Sequence, residues 1–243
     1  MLAEEKQKIA KFLDLAGDFI DSGYLGTHRD YSFEDDRNLP ESSASLPAGG
    51  GNDSIEQIAA EIRVCKNCRL SENRKNAAAG EGSQRPLLMV IGEGPGQEED
   101  AQGRPFVGRA GQLLDKMLAS INISRNVNCF IANVVKCRPP NNRDPYPEET
   151  AACSHFLERQ ILLLNPKFIL IVGRIAAQTL LKTTESIGKL RGKFSELNAG
   201  NSSFPLLVTY HPAALLRNED LKRPAWEDLK LLRSKLENIS GVI

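Results

Sequence analysis

The stretch "LLMVIGEGPGQ" (residues 87–97) decides how this chain folds. Five apolar residues are too few for a buried helix, and the glycines at 92, 94 and 96 with Pro95 stop the run sharply. That combination marks a fully buried strand ending in a tight turn. Three further runs of the same kind follow, "CFIANVV" (129–135), "FILIVG" (168–173) and "LLVTY" (206–210). Helical patterns separate them: "GQLLDKMLASI" (111–121), "PEETAACSHFLERQILLL" (147–164) and "IAAQTLLKT" (175–183). Another, "IEQIAAEIRVC" (55–65), precedes the first strand behind the N-cap candidates Asp53 and Ser54, and a last one begins at Pro224. Strands alternating with helices imply a parallel sheet covered on both faces. The expected fold is α/β, a three-layer α/β/α sandwich around a central four-stranded parallel sheet.

That body is expected to span residues 54–243. Ahead of it, residues 1–26 carry Leu2, Ile9, Phe12, Leu13, Ala16, Phe19 and Ile20 at helical spacing, an amphipathic helix. Such a helix packs on the body, docks a protein partner or mediates self-association. Residues 27–53 are polar and acidic, with too little apolar surface to order themselves, and read as a flexible linker. Residues 1–53 hold 5 basic and 11 acidic side chains, leaving 26 basic against 20 acidic in the body although the formal net charge is zero. A basic body is compatible with a polyanionic partner, though many enzymes share that excess. Charges interrupt the apolar positions of the N-terminus, and no apolar run approaches the roughly 18 residues a membrane span needs. The expected compartment is the cytoplasm, with no membrane partner.

In open α/β sheets ligands sit beyond the carboxyl ends of the strands, so those ends carry the candidate chemistry. The turn after the first strand has no G-K-[ST] and lacks the G-x-G-x-x-G spacing, which excludes the common phosphate-binding loops. It is either a plain tight turn or a place where backbone approaches a ligand. Asn133 falls within the second strand, where an amide is costly to bury without partners. It is either satisfied by the backbone or held out to recognise something. His211 ends the fourth strand, and "PAALLR" (212–217) follows it. Leu215 and Leu216 beside Arg217 form either a wedge for insertion or a helix start with its leucines turned inward.

The five cysteines stand at 65, 68, 129, 137 and 153. An odd number in an intracellular chain argues for metal or free thiols over a disulfide framework. The pair in "VCKNCRL" (64–70) supplies two thiolates of the four that a closed site needs, and four thiolates suit zinc or a 4Fe-4S cluster. Cys129 opens an apolar strand and reads as a small buried hydrophobe; His155 has no assigned role.

Taken together, "GEGPGQEEDAQGRPFVGRAGQLL", "IANVVKCRPPNNR", "GKLRGK" and "HPAALLRN" resemble the iron–sulfur-containing family 4 of the uracil-DNA glycosylase superfamily, over about residues 55–240. The resemblance implies an enzyme that flips uracil out of single- or double-stranded DNA and hydrolyses its N-glycosidic bond, leaving an abasic site. It places Glu93, Gly94, Pro95, Glu99, Phe106, Asn133 and His211 around the base. Phe106 would stack on it, Asn133 would read its edge, and His211 would donate to O2. Glu93 would position water and stabilise a cationic sugar, and Glu99 would wall or orient the pocket. Pro212, Ala213, Ala214 and Leu215 would enter the minor groove, Leu215 filling the gap left by the base. Arg217, Lys189, Arg191 and Lys193 would contact phosphates. Cys65, Cys68, Cys137 and Cys153 would hold a 4Fe-4S cluster in preference to zinc. The chain keeps Glu93–Gly94 where a related branch has Leu-Ala, and lacks the basic insertion with which another traps its product. A non-catalytic DNA-binding or replication-associated module on the same fold is the alternative. An iron–sulfur electron carrier is a third reading, one that gives the pocket residues no work.

Overall fold

A computed structural model describes residues 53–240, so the expected N-terminal helix and all of the linker but Asp53 lie outside the described residues. Helix α1 (Ile55–Val64) begins at Ser54, whose hydroxyl accepts from the Gln57 amide at 3.2 Å. One turn of helix, α2 (Leu70–Asn73), leads to strands β1 (Glu81–Gly82) and β2 (Leu88–Gly92). Helices α3 (Gln97–Gln102) and α4 (Arg109–Ala119) precede β3 (Cys129–Asn133), and the long α5 (Pro147–Leu164) leads to β4 (Phe168–Val172). Then come α6 (Arg174–Leu181), the single turn α7 (Ile187–Leu190), and β5 (Phe194–Ala199) with β6 (Ser202–Thr209). Helices α8 (Pro212–Arg217) and α9 (Lys222–Ser240) close the described chain.

The period of two in a strand sorts the apolar residues onto two faces. Met89, Ile91, Phe130, Ala132, Ile169, Ile171, Leu206 and Val208 pack on one side with Ile58 and Ile62 of α1 and Phe156 and Leu157 of α5. Leu88, Val90, Cys129, Ile131, Leu170 and Leu207 pack on the other with Leu114 and Leu118 of α4 and Leu229, Leu232 and Leu236 of α9. Both faces are therefore covered, as the unbroken apolar runs require. Cys129 is fully buried in the second cluster, as its place in an apolar strand implies.

The sheet has six strands, not four, in the order β1-β3-β2-β4-β6-β5. The four expected strands form its parallel centre, β3-β2-β4-β6. Each edge is an added antiparallel strand, β1 on β3 and β5 on β6. Neither edge announces itself in sequence. β1 has two residues, and β5, "FSELNA", has half of its residues exposed, so polar side chains interrupt its apolar pattern. A hairpin also extends β6 back to Ser202, ahead of its apolar half. Among the described residues, no helix is long and apolar enough to cross a membrane.

Candidate active site

Residues at or just beyond the carboxyl ends of the four parallel strands converge where the strand order reverses. Gly92 closes β2 and pairs in register with Asn133, the last residue of β3. A Cβ on Gly92 would stand 2.5 Å from Cζ of Phe106 and 2.6 Å from Oδ1 of Asn133, so only glycine allows both side chains to meet there. The Phe106 ring also lies 5.5 Å, centroid to centroid, from that of His211, tilted by 32°. One aromatic ring, one amide and one imidazole thus meet at one place.

Asn133 is 1% exposed, and neither its Oδ1 nor its Nδ2 has a hydrogen-bond partner. No other buried side-chain nitrogen or oxygen among the described residues is left so. Each such atom costs about 1–3 kcal/mol. An amide left in this state can receive a complementary donor and acceptor. Its main chain is firmly anchored. Lys136, also 1% exposed, donates from Nζ to the Asn133 carbonyl at 2.9 Å and to Oε1 of Gln160 at 2.7 Å. Gln160 passes the link on to the Ala79 carbonyl at 2.7 Å.

His211 caps α8, its Nδ1 accepting from the Ala213 amide at 3.1 Å. That bond leaves Nε2 as the protonated nitrogen of a neutral ring. Burial, reinforced by the Arg217 charge, pulls its pKa down to about 4, so the imidazole is a neutral donor at physiological pH. Glu93, one residue past β2, is pushed the other way. Burial first, then the nearby Asp144 carboxylate, raise its pKa to about 7, while the Arg174 cation opposes the rise. Asp144 and Arg174 themselves pair at 3.0 Å. Glu99 joins the two pocket loops: Oε1 accepts from the Val107 and Gly108 amides at 2.9 Å each, and Oε2 from Gly96 at 3.1 Å. Pro95 lies buried in the turn that Glu99 closes.

Cys65, Cys68, Cys137 and Cys153 line one small cavity with Arg74 and Lys136. Arg74 Nη1 donates to Cys137 Sγ at 2.9 Å, and the Asn67 amide to Cys65 Sγ at 3.5 Å. Burial raises the Cys153 pKa to about 11 and that of Cys137 above its usual value. Four soft donors around one space, with the Arg74 guanidinium on one of them and the Lys136 ammonium buried nearby, fit an anionic tetrathiolate centre. Among the described residues, no three His, Cys, Asp or Glu side chains are grouped as a single metal ion would require.

Residues 79–230 match a family model described as the uracil DNA glycosylase superfamily. The chain belongs to this superfamily. It is 43% identical over 190 residues to the Type-4 uracil-DNA glycosylase of Saccharolobus solfataricus, covering 76% of this chain and 88% of that one. With the Type-4 uracil-DNA glycosylase of Thermotoga maritima it shares 44% over 183 residues, 74% of this chain and 93% of the relative. With that of Archaeoglobus fulgidus it shares 39% over 182 residues, 73% and 91% respectively. It is a type-4 member of the superfamily.

Three residues expected to face DNA in this type-4 glycosylase, Leu215, Arg191 and the buried Pro212, are turned elsewhere. Leu215 is 2% exposed and packs in the α4/α9 cluster, because residues 212–217 form a helical turn that directs it inward. Its neighbour Leu216 is 42% exposed. Arg191 is drawn into the body. It pairs with the buried Asp228 at 2.6 and 3.0 Å, donates to the Pro224 carbonyl at 2.5 Å, and lies 5.3 Å from the Tyr210 ring centroid. Lys189, Lys193 and Arg217 are exposed, Pro212 is buried, and Ala213 and Ala214 are half-buried. His155 stacks against Phe156, its ring 3.9 Å away and remote in sequence from every strand end.

Proposed function

We propose that this chain excises uracil from DNA by the following division of labour. The flipped base stacks on Phe106, and Asn133 accepts from its N3–H while donating to O4. The observation that carries this reading is the Asn133 amide, fully buried with both polar atoms unpaired. A uracil edge satisfies both at once, whereas cytosine offers an acceptor where Oδ1 needs a donor and leaves buried groups unpaired.

The bond that breaks joins the sugar C1′ to N1 of the base, and its electron pair leaves with uracil. Negative charge develops on O2, where the neutral Nε2–H of His211 donates. Pro95 has no amide hydrogen and that of Gly96 is bound by Glu99, so any donor from this turn comes from Glu93 or Gly94. Ionised Glu93 faces the cationic sugar, orients the water that adds to C1′ and takes its proton. That proton then passes by way of solvent to the departing uracil anion, leaving neutral uracil, an abasic site and ionised Glu93.

DNA is the macromolecular partner. Leu216, exposed where Leu215 is not, is the side chain we assign to the space the base vacates; Arg217, Lys189 and Lys193 suit phosphates. Following the family resemblance, Cys65, Cys68, Cys137 and Cys153 would hold a 4Fe-4S cluster in preference to zinc, and the enzyme would work in the cytoplasm. When bound, such a cluster supplies a rigid cross-link among segments distant in sequence. Glycosidic hydrolysis calls for no electron transfer.

The test is release of free uracil from a uracil-containing oligonucleotide, with Phe106→Ala and His211→Ala as comparisons. Both variants should still bind the DNA while losing excision.

A further inference from the structure

Phe106 carries the stacking surface in the reading above, and its backbone adopts an uncommon conformation. Its φ is +52°, in the left-handed region that a bulky aromatic residue adopts only when its surroundings impose it. Three groups do so here. Glu99 holds the two amides that follow, as described. Helix α4 presses from one side, so closely that a Cβ on Gly111 would stand 1.9 Å from the Phe106 carbonyl oxygen. The third is Arg125, in the connection between α4 and β3.

The Arg125 side chain is 10% exposed and uses its donors on two consecutive carbonyls, Pro105 at 3.0 Å from Nη1 and Phe106 at 2.8 Å from Nη2. Two carboxylates fix the plane of the guanidinium. Glu81 accepts from Nη1 at 2.5 Å, and Asp115 accepts from Nε at 3.0 Å and from Nη2 at 2.9 Å. Glu81 in turn anchors Arg104 at 2.7 and 3.1 Å. A flat, five-donor fork can serve four acceptors in one plane, and a lysine ammonium cannot.

We infer that Arg125 is a positioning residue for uracil excision, acting through the Phe106 backbone to set the ring against the base. This deepens the excision reading and rests on it. The geometry assigns Arg125 no contact with substrate, so its effect on catalysis passes through Phe106.

A double-mutant cycle in the full chain separates that role from a merely structural one. Arg125→Lys should lower kcat/KM on a uracil oligonucleotide about tenfold, yet change it less than about twofold in a Phe106→Ala background. Hydrogen exchange at the Val107 and Gly108 amides should quicken in Arg125→Lys whatever the activity. Asp115→Asn, which loosens the fork without touching the loop, should act in the same direction more weakly, and serves if Arg125→Lys does not fold. If the wild-type chain releases no uracil, the excision reading falls, and exchange at those two amides still decides whether Arg125 holds the loop. Equal losses in the two backgrounds, or unchanged exchange, would overturn the proposal.

Discussion

The carbonyl of Asn133 accepts a 2.9 Å hydrogen bond from the buried ammonium of Lys136, the residue that precedes Cys137. Asn133 and the cysteine cavity are therefore joined by three residues of chain and one hydrogen bond. Lys136→Met removes the donor and strands Oε1 of Gln160 as well as the Asn133 carbonyl. It should destabilise the fold by about 2–4 kcal/mol in denaturant titrations. Slower uracil release should accompany the loss, because the strand end carrying Asn133 is no longer pinned.

The pH profile should belong to Glu93. Its carboxylate has to be ionised to face the sugar cation, so excision should rise with pH about a midpoint near 7, where burial and Asp144 set its pKa. His211, with its pKa at about 4, stays neutral throughout and adds no limb above pH 5. Asp144→Asn removes the raising charge and should shift the midpoint down, while Arg174→Met should shift it up. The effect on folding has the opposite sense. A raised folded pKa favours the protonated form, so stability from Glu93 is full below its ordinary value of 4.5 and is lost as pH rises through about 7. Glu93→Gln should therefore melt higher than wild type at pH 8 and lose the rising limb of activity.

The two adjacent leucines should part company when each is truncated. Leu215→Ala opens a cavity beneath α8 and should cost about 2–5 kcal/mol of stability. Leu216→Ala removes an exposed side chain and should leave the melting temperature within a degree or so while slowing excision from duplex DNA more than from single strands. Equal thermal losses in both variants would contradict the inward packing of Leu215.

Much of this was legible in the sequence, and the limits have physical causes. Central strands buried on both faces must be continuously apolar, so runs such as "FILIV" stand out. Edge strands face solvent and need not be, which hides β1 and β5. At the site, Glu93, Asn133 and His211 follow from strand ends, since topology alone places them together. Whether Asn133 is satisfied or left open depends on neighbours distant in sequence, as does the inward turn of Leu215. Arg125, Lys136 and Asp228 were not singled out. Apart from the Lys136–Asn133 bond, their roles come from partners 10 to 44 residues away, and a lone charge among polar residues looks like any solvated one. The only hint was Lys136, a charge set directly after the apolar "FIANVV".

Cysteine substitutions should divide by location. Purified without oxygen, the protein should be brown and contain iron, and Cys137→Ser should lose both colour and iron. Cys129→Ser lies in the opposite apolar cluster and should keep them at some cost in stability. Stoichiometric zinc in a colourless protein would replace the cluster with a single-ion site.

The central claim is that Asn133 is held open for uracil at the expense of stability. Its most direct test pairs the rate of uracil release from a uracil oligonucleotide with thermal melting, for wild type and Asn133→Ala. Wild type should release uracil, and the variant should do so at least about 100-fold more slowly while melting no lower, because the buried unpaired amide is gone. A variant that excises as fast as wild type, or a wild-type chain that releases no uracil, would contradict the account.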